Sequence, residues 1–218
     1  MLSNYWETIS GVSQVIEFLN TVGEQFLLNS LLELLAVVFA IAYLVLAVRE
    51  NILCWLAASV STFIFLYIFW GVNLYMESGL QVYYIAMAVF GWYQWRSAKD
   101  GSTNLQVSMW SMRQHLTALT LIALLTFISG YLLNSRTDAQ LPYLDSLTTW
   151  GSVVTTYMVT RKILENWIYW LVIDSISIYL YIDRELYFTA ILFAVYIVII
   201  FFGWLTWSKR YQPNMKTV

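Results

Sequence analysis

One segment of the sequence, from Glu165 through Asp174 to about Tyr181, is apolar enough for a membrane-spanning helix but contains an amide near one end and a carboxylate near its middle. Asp174 lies near mid-span, where an unsatisfied charge is costly. At about 100° per residue, five side chains of this segment and its continuation share a sector of roughly 80°: they are Asn166, Trp170, Asp174, Ser177 and Tyr181. Such a stripe suits a flat, polar or cationic organic molecule, and the alternative is a polar network that only fixes helix packing.

A second helical face with polar and aromatic side chains is predicted between residues 79 and 96. Its members are Gln81, Tyr84, Ala88, Trp92 and Trp95. Trp92 and Trp95 also fit an interfacial aromatic belt, so two interpretations stay open for them. The candidate substrate-binding residues from both faces are Asn166, Trp167, Trp170, Asp174, Ser177, Gln81, Tyr84, Trp92 and Trp95.

The composition predicts a polytopic membrane protein in which these faces line the inside. Of 218 residues, 60% are hydrophobic and 11% are charged, against about 25% charged in soluble domains. The single cysteine, Cys54, excludes a disulfide or a thiolate metal site within one chain. The single histidine, His115, is interpreted as an interfacial residue rather than a proton relay. We expect no cofactor, no nucleic-acid partner and no enzymatic activity, because no nucleophile stands beside a base.

Seven apolar segments long enough to cross a bilayer follow a polar start. Residues 1–26 have the spacing of an amphipathic helix on the membrane surface. Pro142 is expected in the first turn of the fifth segment, where its missing N–H is harmless. The predicted segments are 28–48, 52–72, 79–96, 115–133, 143–160, 163–182 and 186–207.

The distribution of basic residues predicts the orientation, because cytoplasmic loops retain lysine and arginine. One side of the membrane receives nine: Arg49, Arg96, Lys99, Arg113, Arg161, Lys162, Lys209, Arg210 and Lys216. The other side receives Arg136 and Arg184. We therefore expect the amino terminus outside, in the periplasm, and the carboxyl terminus in the cytoplasm of a bacterial inner membrane.

An internal repeat appears when the chain is shifted by 112 positions, which aligns Arg49 with Arg161 and a series of Trp, Tyr and Gly residues. The repeat predicts an all-α protein with two parallel three-helix units and one linker helix. The predicted divisions are 1–26 for the surface helix, 27–96 for the first repeat, 97–140 for the cytoplasmic loop and linker, 141–207 for the second repeat, and 208–218 for the tail.

The two copies differ where the polar stripe lies, which indicates one asymmetric pocket rather than a pore with equal walls. Gly91 and Gly203 are present in both copies and permit either close helix contact or bending. The aligned pairs that differ are Cys54 and Asn166, Ala58 and Trp170, Thr62 and Asp174, and Gln81 and Phe193.

Several motifs resemble the Pnu family of bacterial vitamin transporters. They are Gln81–Tyr84, Gly91–Arg96, Thr160–Lys162, and Glu165–Trp167 followed by Trp170. The resemblance covers nearly the whole chain and implies seven spans, a homotrimer in the lipid bilayer, and facilitated diffusion of an unphosphorylated vitamin. It also implies functional coupling to a cytoplasmic vitamin kinase that traps the substrate without stable binding.

The substrate branch is predicted from two departures. Nicotinamide riboside carriers of this family tend to have asparagine at the positions of Ala88 and Asp174. A carboxylate accepts well from an aminopyrimidine, so the thiamine branch (PnuT-like) is favoured, with nicotinamide riboside as the alternative. A proton-coupled symporter with Asp174 and Glu165 as titrating groups is a further alternative.

Overall fold

The protein is an all-α bundle, as predicted. The computed structural model describes residues 31–71, 75–99, 105–136, 141–183 and 187–211, and this part of the chain contains seven α-helices. The only strand-like pairing within these ranges is an isolated bridge between Ser108 and Ile163. The predicted surface helix over residues 1–26 lies outside the described residues. The helices are α1 Leu31–Val48, α2 Leu53–Gly71, α3 Tyr75–Lys99, α4 Met112–Arg136, α5 Pro142–Thr160, α6 Asn166–Asp183 and α7 Tyr187–Arg210.

Helix bounds follow the apolar segments, with differences at polar ends. The α5 helix begins at Pro142 in its first turn, as the sequence predicts. The α3 and α4 helices extend several residues beyond the predicted segments at both ends, because polar residues continue a helix that hydropathy alone would stop. The α6 helix starts at Asn166 rather than residue 163, since Ile163 pairs with the loop residue Ser108.

Apolar side chains cover the outside of the bundle and polar ones lie inside, which is consistent with a membrane protein. The α4 helix and the part of α7 from Thr189 to Arg210 are each long and apolar enough to cross a membrane, and α1 and α2 contain shorter apolar stretches. Exposed side chains include Phe63, Tyr67, Val89, Tyr93, Phe127, Val198 and Phe201. Buried polar side chains include Gln81, Thr155, Thr160, Asn166, Asp174 and Ser177.

Helix contacts connect two groups of three. Within the groups, α1 contacts α2, α2 contacts α3, α5 contacts α6, and α6 contacts α7. Between the groups, α1 contacts α7 and α3 contacts α5, while α4 packs against α5 among the described helices. In both contacts between the groups, the first helix of one group meets the third helix of the other. Two parallel repeats would produce this arrangement, and the repeat itself stays a prediction.

Four tryptophans form the core where the two groups meet, and we call Trp55, Trp95, Trp167 and Trp207 the tryptophan cluster. All four are buried. Trp55 meets Trp95 edge-to-face with ring centroids 5.3 Å apart, and Trp167 meets Trp207 in the same way at 5.3 Å. Trp95 and Trp207 connect the two pairs at 6.3 Å. The cluster therefore joins α2 and α3 to α6 and α7.

Gly91 and Gly203 allow tight helix contact at this cluster. A Cβ added to Gly91 would collide with the Trp55 ring, and one added to Gly203 would lie 2.6 Å from the Trp167 ring. Both glycines are buried. Of the two interpretations that the sequence left open, close contact is the one that the structure supports.

Candidate substrate-binding site

The polar stripe of α6 faces the inside of the bundle. Asn166, Asp174 and Ser177 are buried, whereas Trp170 and Tyr181 are half-buried. The opposite face of the same helix exposes Leu171, Val172, Tyr179 and Ile182. The helical period that predicted the stripe thus corresponds to a real division between an apolar outer face and a polar inner face.

Asn166 begins the helix and has an incompletely satisfied amide. Its Nδ2 donates a hydrogen bond to the carbonyl oxygen of Ile163 at 2.6 Å. Its Oδ1 is buried and has no hydrogen-bond donor among the described residues. Leaving such an acceptor unpaired costs about 1–3 kcal/mol, so this oxygen is suited to accept a hydrogen bond from water or a ligand.

Asp174 is the central charged group of the site. Its side chain is only 4% exposed. In the described ranges no residue donates a hydrogen bond to it and no basic side chain forms an ion pair with it. A buried carboxylate without a positive partner is costly, and a bound cation would remove that cost.

Two tyrosines from other helices lie close to Asp174. Tyr84 of α3 and Tyr196 of α7 are both near enough to interact with it electrostatically, and Tyr181 of α6 is near both tyrosines. Asp174 stands nine residues before the end of α6, about 13 Å along the axis, and Tyr84 and Tyr196 stand nine residues after the starts of their helices. The three residues therefore share one level, near the middle of the bundle.

The α5 helix supplies a wall that the sequence analysis missed. Ser152 lies beside the Tyr84 phenol, and the Tyr83 hydroxyl donates to the carbonyl oxygen of Val153 at 2.8 Å. Ser152, Thr155 and Thr156 are all buried. Small and hydroxyl residues at helical spacing in this segment were the available signal, because they allow close approach between membrane helices.

Gln81 and Ser177 extend the site towards the other end of the bundle. Both are buried, and within the described part of the chain neither has a hydrogen-bonding partner. Gln81 lies one turn before Tyr84 on α3, and Ser177 lies one turn after Asp174 on α6. Because α3 and α6 run in opposite directions from this level, both residues lie on the same side of the Tyr84–Asp174 level.

The predicted tryptophans fall into two environments. Trp95 and Trp167 are members of the tryptophan cluster and are 4% and 2% exposed, so protein already covers their rings. Trp92 and Trp170 are half-buried and pack against the hydrophobic core that contains the tryptophan cluster. The helix positions thus place Asp174 and Tyr84 at one level, Ser177 and Gln81 one turn further along, and Asn166 at the end of the bundle that contains the tryptophan cluster.

A loop before α4 supports the start of α6. Ser108 accepts a hydrogen bond from the backbone N–H of Leu164 at 2.8 Å. His115 Nε2 lies 3.3 Å from Glu165 Oε1, and His115 Nδ1 lies 3.0 Å from the Tyr169 hydroxyl. Sequence analysis predicted an interfacial position for His115 but none of these contacts.

The family model and the relatives that match this chain are all described as transporters. A family model described as nicotinamide mononucleotide transporter matches residues 30–209. The riboflavin/roseoflavin transporter RibM of Streptomyces davaonensis is 24% identical over 180 residues, covering 80% of this chain and 83% of RibM. The nicotinamide riboside transporter PnuC of Escherichia coli is 25% identical over 168 residues, covering 65% of this chain and 70% of PnuC.

A solved structure shares the fold. The crystal structure of the vitamin B3 transporter PnuC matches with a TM-score of 0.67 at 20% sequence identity, and the match covers 91% of this chain and 90% of that chain. At this identity the match shows the arrangement of helices and carries no information about the ligand.

Proposed function

The chain belongs to the nicotinamide mononucleotide transporter family of membrane transporters, and on that premise we propose that it takes up a cationic water-soluble vitamin, with thiamine as the first candidate. The observation that carries the proposal is Asp174, a buried carboxylate at the level of Tyr84 and Tyr196 with no basic partner among the described residues. The thiazolium ring of thiamine supplies the missing positive charge.

The choice of thiamine rests on hydrogen-bonding chemistry. The aminopyrimidine of thiamine has N–H donors, and a carboxylate only accepts when ionised. A carboxamide and a ribose are better matched by amide side chains, but the α6 helix has Asp174 at this level and the α3 helix has the small residue Ala88. Ser177, which is buried, and Tyr84, which is half-buried, add hydroxyls that can both donate and accept hydrogen bonds.

We assign roles to the nine candidate residues accordingly. Asp174 meets the cation or the amino group, the Trp170 ring stacks on the vitamin, and Asn166 and Gln81 orient it by hydrogen bonds. Ser177, Tyr84 and Trp92 line the remaining walls. Trp95 and Trp167 hold the positions of Trp92 and Trp170 from within the core, since their own rings are covered by protein.

The proposed mechanism is facilitated diffusion. The vitamin enters from the periplasm, binds near mid-depth, and leaves to the cytoplasm when the two groups of helices rock about the site. A cytoplasmic kinase traps it by phosphorylation, and three copies assemble in the inner membrane with the amino terminus periplasmic. Fold and family membership support this proposal, because parallel repeats in transporters hold substrate at their interface.

Two alternatives have specific support. Nicotinamide riboside is also a cation and is the named cargo of the Escherichia coli relative. Proton-coupled uptake would use Asp174, which is buried without a basic partner, or Glu165, which lies beside His115. Riboflavin, the cargo named for RibM, is uncharged and would leave Asp174 without a partner.

Uptake into liposomes tests the proposal. Purified protein should equilibrate radiolabelled thiamine across the membrane without a proton gradient, and an imposed gradient should not concentrate it. Accumulation above equilibrium under a gradient would replace the uniporter by a symporter. Uptake of nicotinamide riboside or riboflavin with no thiamine uptake would overturn the substrate assignment.

A further inference from the structure

Two turns, 112 positions apart in the sequence, have the same backbone geometry at one end of the bundle. Each turn follows the first helix of a group of three, and each closes with a pair of backbone hydrogen bonds of the Schellman type. The bonds are Glu50 N–H to Ala47 O at 2.9 Å, Asn51 N–H to Leu46 O at 2.9 Å, Lys162 N–H to Val159 O at 3.0 Å, and Ile163 N–H to Met158 O at 2.9 Å.

The equivalent residues in the two turns are Glu50 and Lys162, and both adopt a left-handed conformation, with φ of 54° and 52°. Glycine usually occupies this position, because a residue with a Cβ is disfavoured there. Both turns nevertheless have a residue with a Cβ at this position, and in each turn its side chain is charged. Their charges are opposite.

The two side chains meet. Lys162 Nζ lies 2.7 Å from Glu50 Oε2, and Arg210 Nη1 lies 2.8 Å from Glu50 Oε1. The Glu50 and Lys162 side chains are each 12% exposed, and the Lys162 ammonium stands 4.8 Å from the centroid of the Trp95 ring. Breaking an ion pair that is mostly removed from water is costly, because the remaining partner is left as a buried charge without compensation.

Other contacts beside this pair also join the two groups of helices. The Trp95 indole N–H donates to the carbonyl oxygen of Thr160 at 3.2 Å, and the Trp207 indole N–H donates to that of Ala47 at 3.2 Å. Each tryptophan thus binds a carbonyl near the end of the first helix of the other group. The end of the bundle is closed by these bonds together with the Glu50–Lys162 pair.

We propose that Glu50 and Lys162 form the gate latch of the transporter, closing the end with the tryptophan cluster and separating when substrate leaves there. This inference rests on the proposed transport function, since a carrier must open each end in turn. Residues at equivalent positions that meet must differ in charge to attract each other. If the two turns had the same charged residue at this position, two like charges would lie next to each other.

Cys54 provides a native reporter for the latch. It is the only cysteine of the chain and is fully buried at the start of α2, close enough to Lys162 to interact electrostatically. The rate of its alkylation by N-ethylmaleimide in proteoliposomes measures how often this end opens. Two test variants, Glu50→Gln and Lys162→Met, each remove the charge of one partner. Two further variants serve as controls: Lys162→Arg retains the charge, and Asp183→Asn removes an exposed carboxylate at the other end of α6.

We expect Glu50→Gln and Lys162→Met to alkylate about five- to thirtyfold faster than wild type, and the two controls to match wild type. Retained thiamine binding distinguishes an open gate from unfolding. Unchanged alkylation in both neutral variants would overturn the latch. Wild-type protein that carries none of the tested vitamins would overturn the proposed function, while the alkylation comparison would still test the latch.

A reversible covalent lock provides a second test that does not depend on weakening the fold. In a Cys54→Ala background, the Glu50→Cys and Lys162→Cys changes allow a bifunctional methanethiosulfonate to join the two turns. Cross-linking should abolish uptake, and reduction should restore it. Continued uptake by the cross-linked protein would contradict the latch.

Discussion

The helix pair α2–α3 and the helix pair α6–α7 are alike at one end and different at mid-depth. At the tryptophan cluster, Trp55 and Trp95 repeat the edge-to-face contact of Trp167 and Trp207. At mid-depth, α6 has the carboxylate Asp174, whereas α2 has Thr62, whose hydroxyl donates back along its own helix to the carbonyl oxygens of Ala58 at 2.8 Å and Ser59 at 3.1 Å. The shared end closes the bundle between the two groups of helices, and the unshared middle fits recognition of one small molecule.

Among the substitutions that test this comparison, removal of the Asp174 charge should have the largest effect on uptake. Asp174→Asn should lower thiamine uptake at low substrate concentration by roughly 10- to 150-fold, because a hydrogen bond to a charged group is worth about 1.5–3 kcal/mol. Thr62→Ala, 112 positions earlier, is the matched control and should leave uptake unchanged. Equal losses in both variants, measured in liposomes, would contradict a one-sided site.

Filling the two equivalent glycines should affect both pairs of helices equally. Gly91→Ala and Gly203→Ala each force a Cβ against a buried tryptophan ring, and overpacking of this kind costs about 1–3 kcal/mol. Thermal unfolding in detergent measures the loss. Gly79→Ala is the control, since no atom lies near its added Cβ. If Gly79→Ala lowered the unfolding temperature while Gly91→Ala and Gly203→Ala did not, the packing argument would be refuted.

Two neighbouring tryptophans of α6 should separate binding from stability. Trp170→Phe should weaken thiamine binding about two- to tenfold with little change in unfolding temperature, as expected for a stacking ring. Trp167→Phe should lower the unfolding temperature without changing affinity, because its ring is enclosed by Gly203 and Trp207. The opposite pattern would mean that Trp167, and not Trp170, contacts the vitamin.

The smallest effect concerns the Glu50 ion pair and its dependence on pH. Burial raises the pKa of the Glu50 carboxyl, but hydrogen bonds and charges from Lys162 and Arg210 outweigh it and hold the pKa below the ordinary value of 4.5. The pair therefore adds stability to the folded protein that is fully present above pH about 4.5 and is lost as the pH falls through the lowered pKa.

Unfolding temperatures measured between neutral pH and pH 3.5 check this dependence. The loss on acidification should be smaller in Glu50→Gln than in wild type, since the variant has no carboxyl to protonate at this position. Identical profiles for the two proteins would show that the pair contributes nothing to the folded state.

The sequence was informative about single helices and less so about their contacts. Apolar length predicts all seven helices, and helical period correctly places Asn166, Asp174 and Ser177 on an inward face. Periodicity states which side chains share a face but not which helix that face meets. Ser152 and Tyr196 were therefore missed as neighbours of the site, and the partners of Gly91 and Gly203 stayed unknown.

The central claim is that Asp174 recognises positive charge, and paired calorimetry tests it most directly. Thiamine is compared with 3-deazathiamine, in which a neutral thiophene replaces the thiazolium, in wild type and in Asp174→Asn. Nicotinamide riboside and its uncharged dihydro form make a second pair. Wild type should prefer the cation of the pair that it binds by about tenfold or more, and Asp174→Asn should lose that preference. Equal binding of charged and neutral forms by wild type would contradict the account.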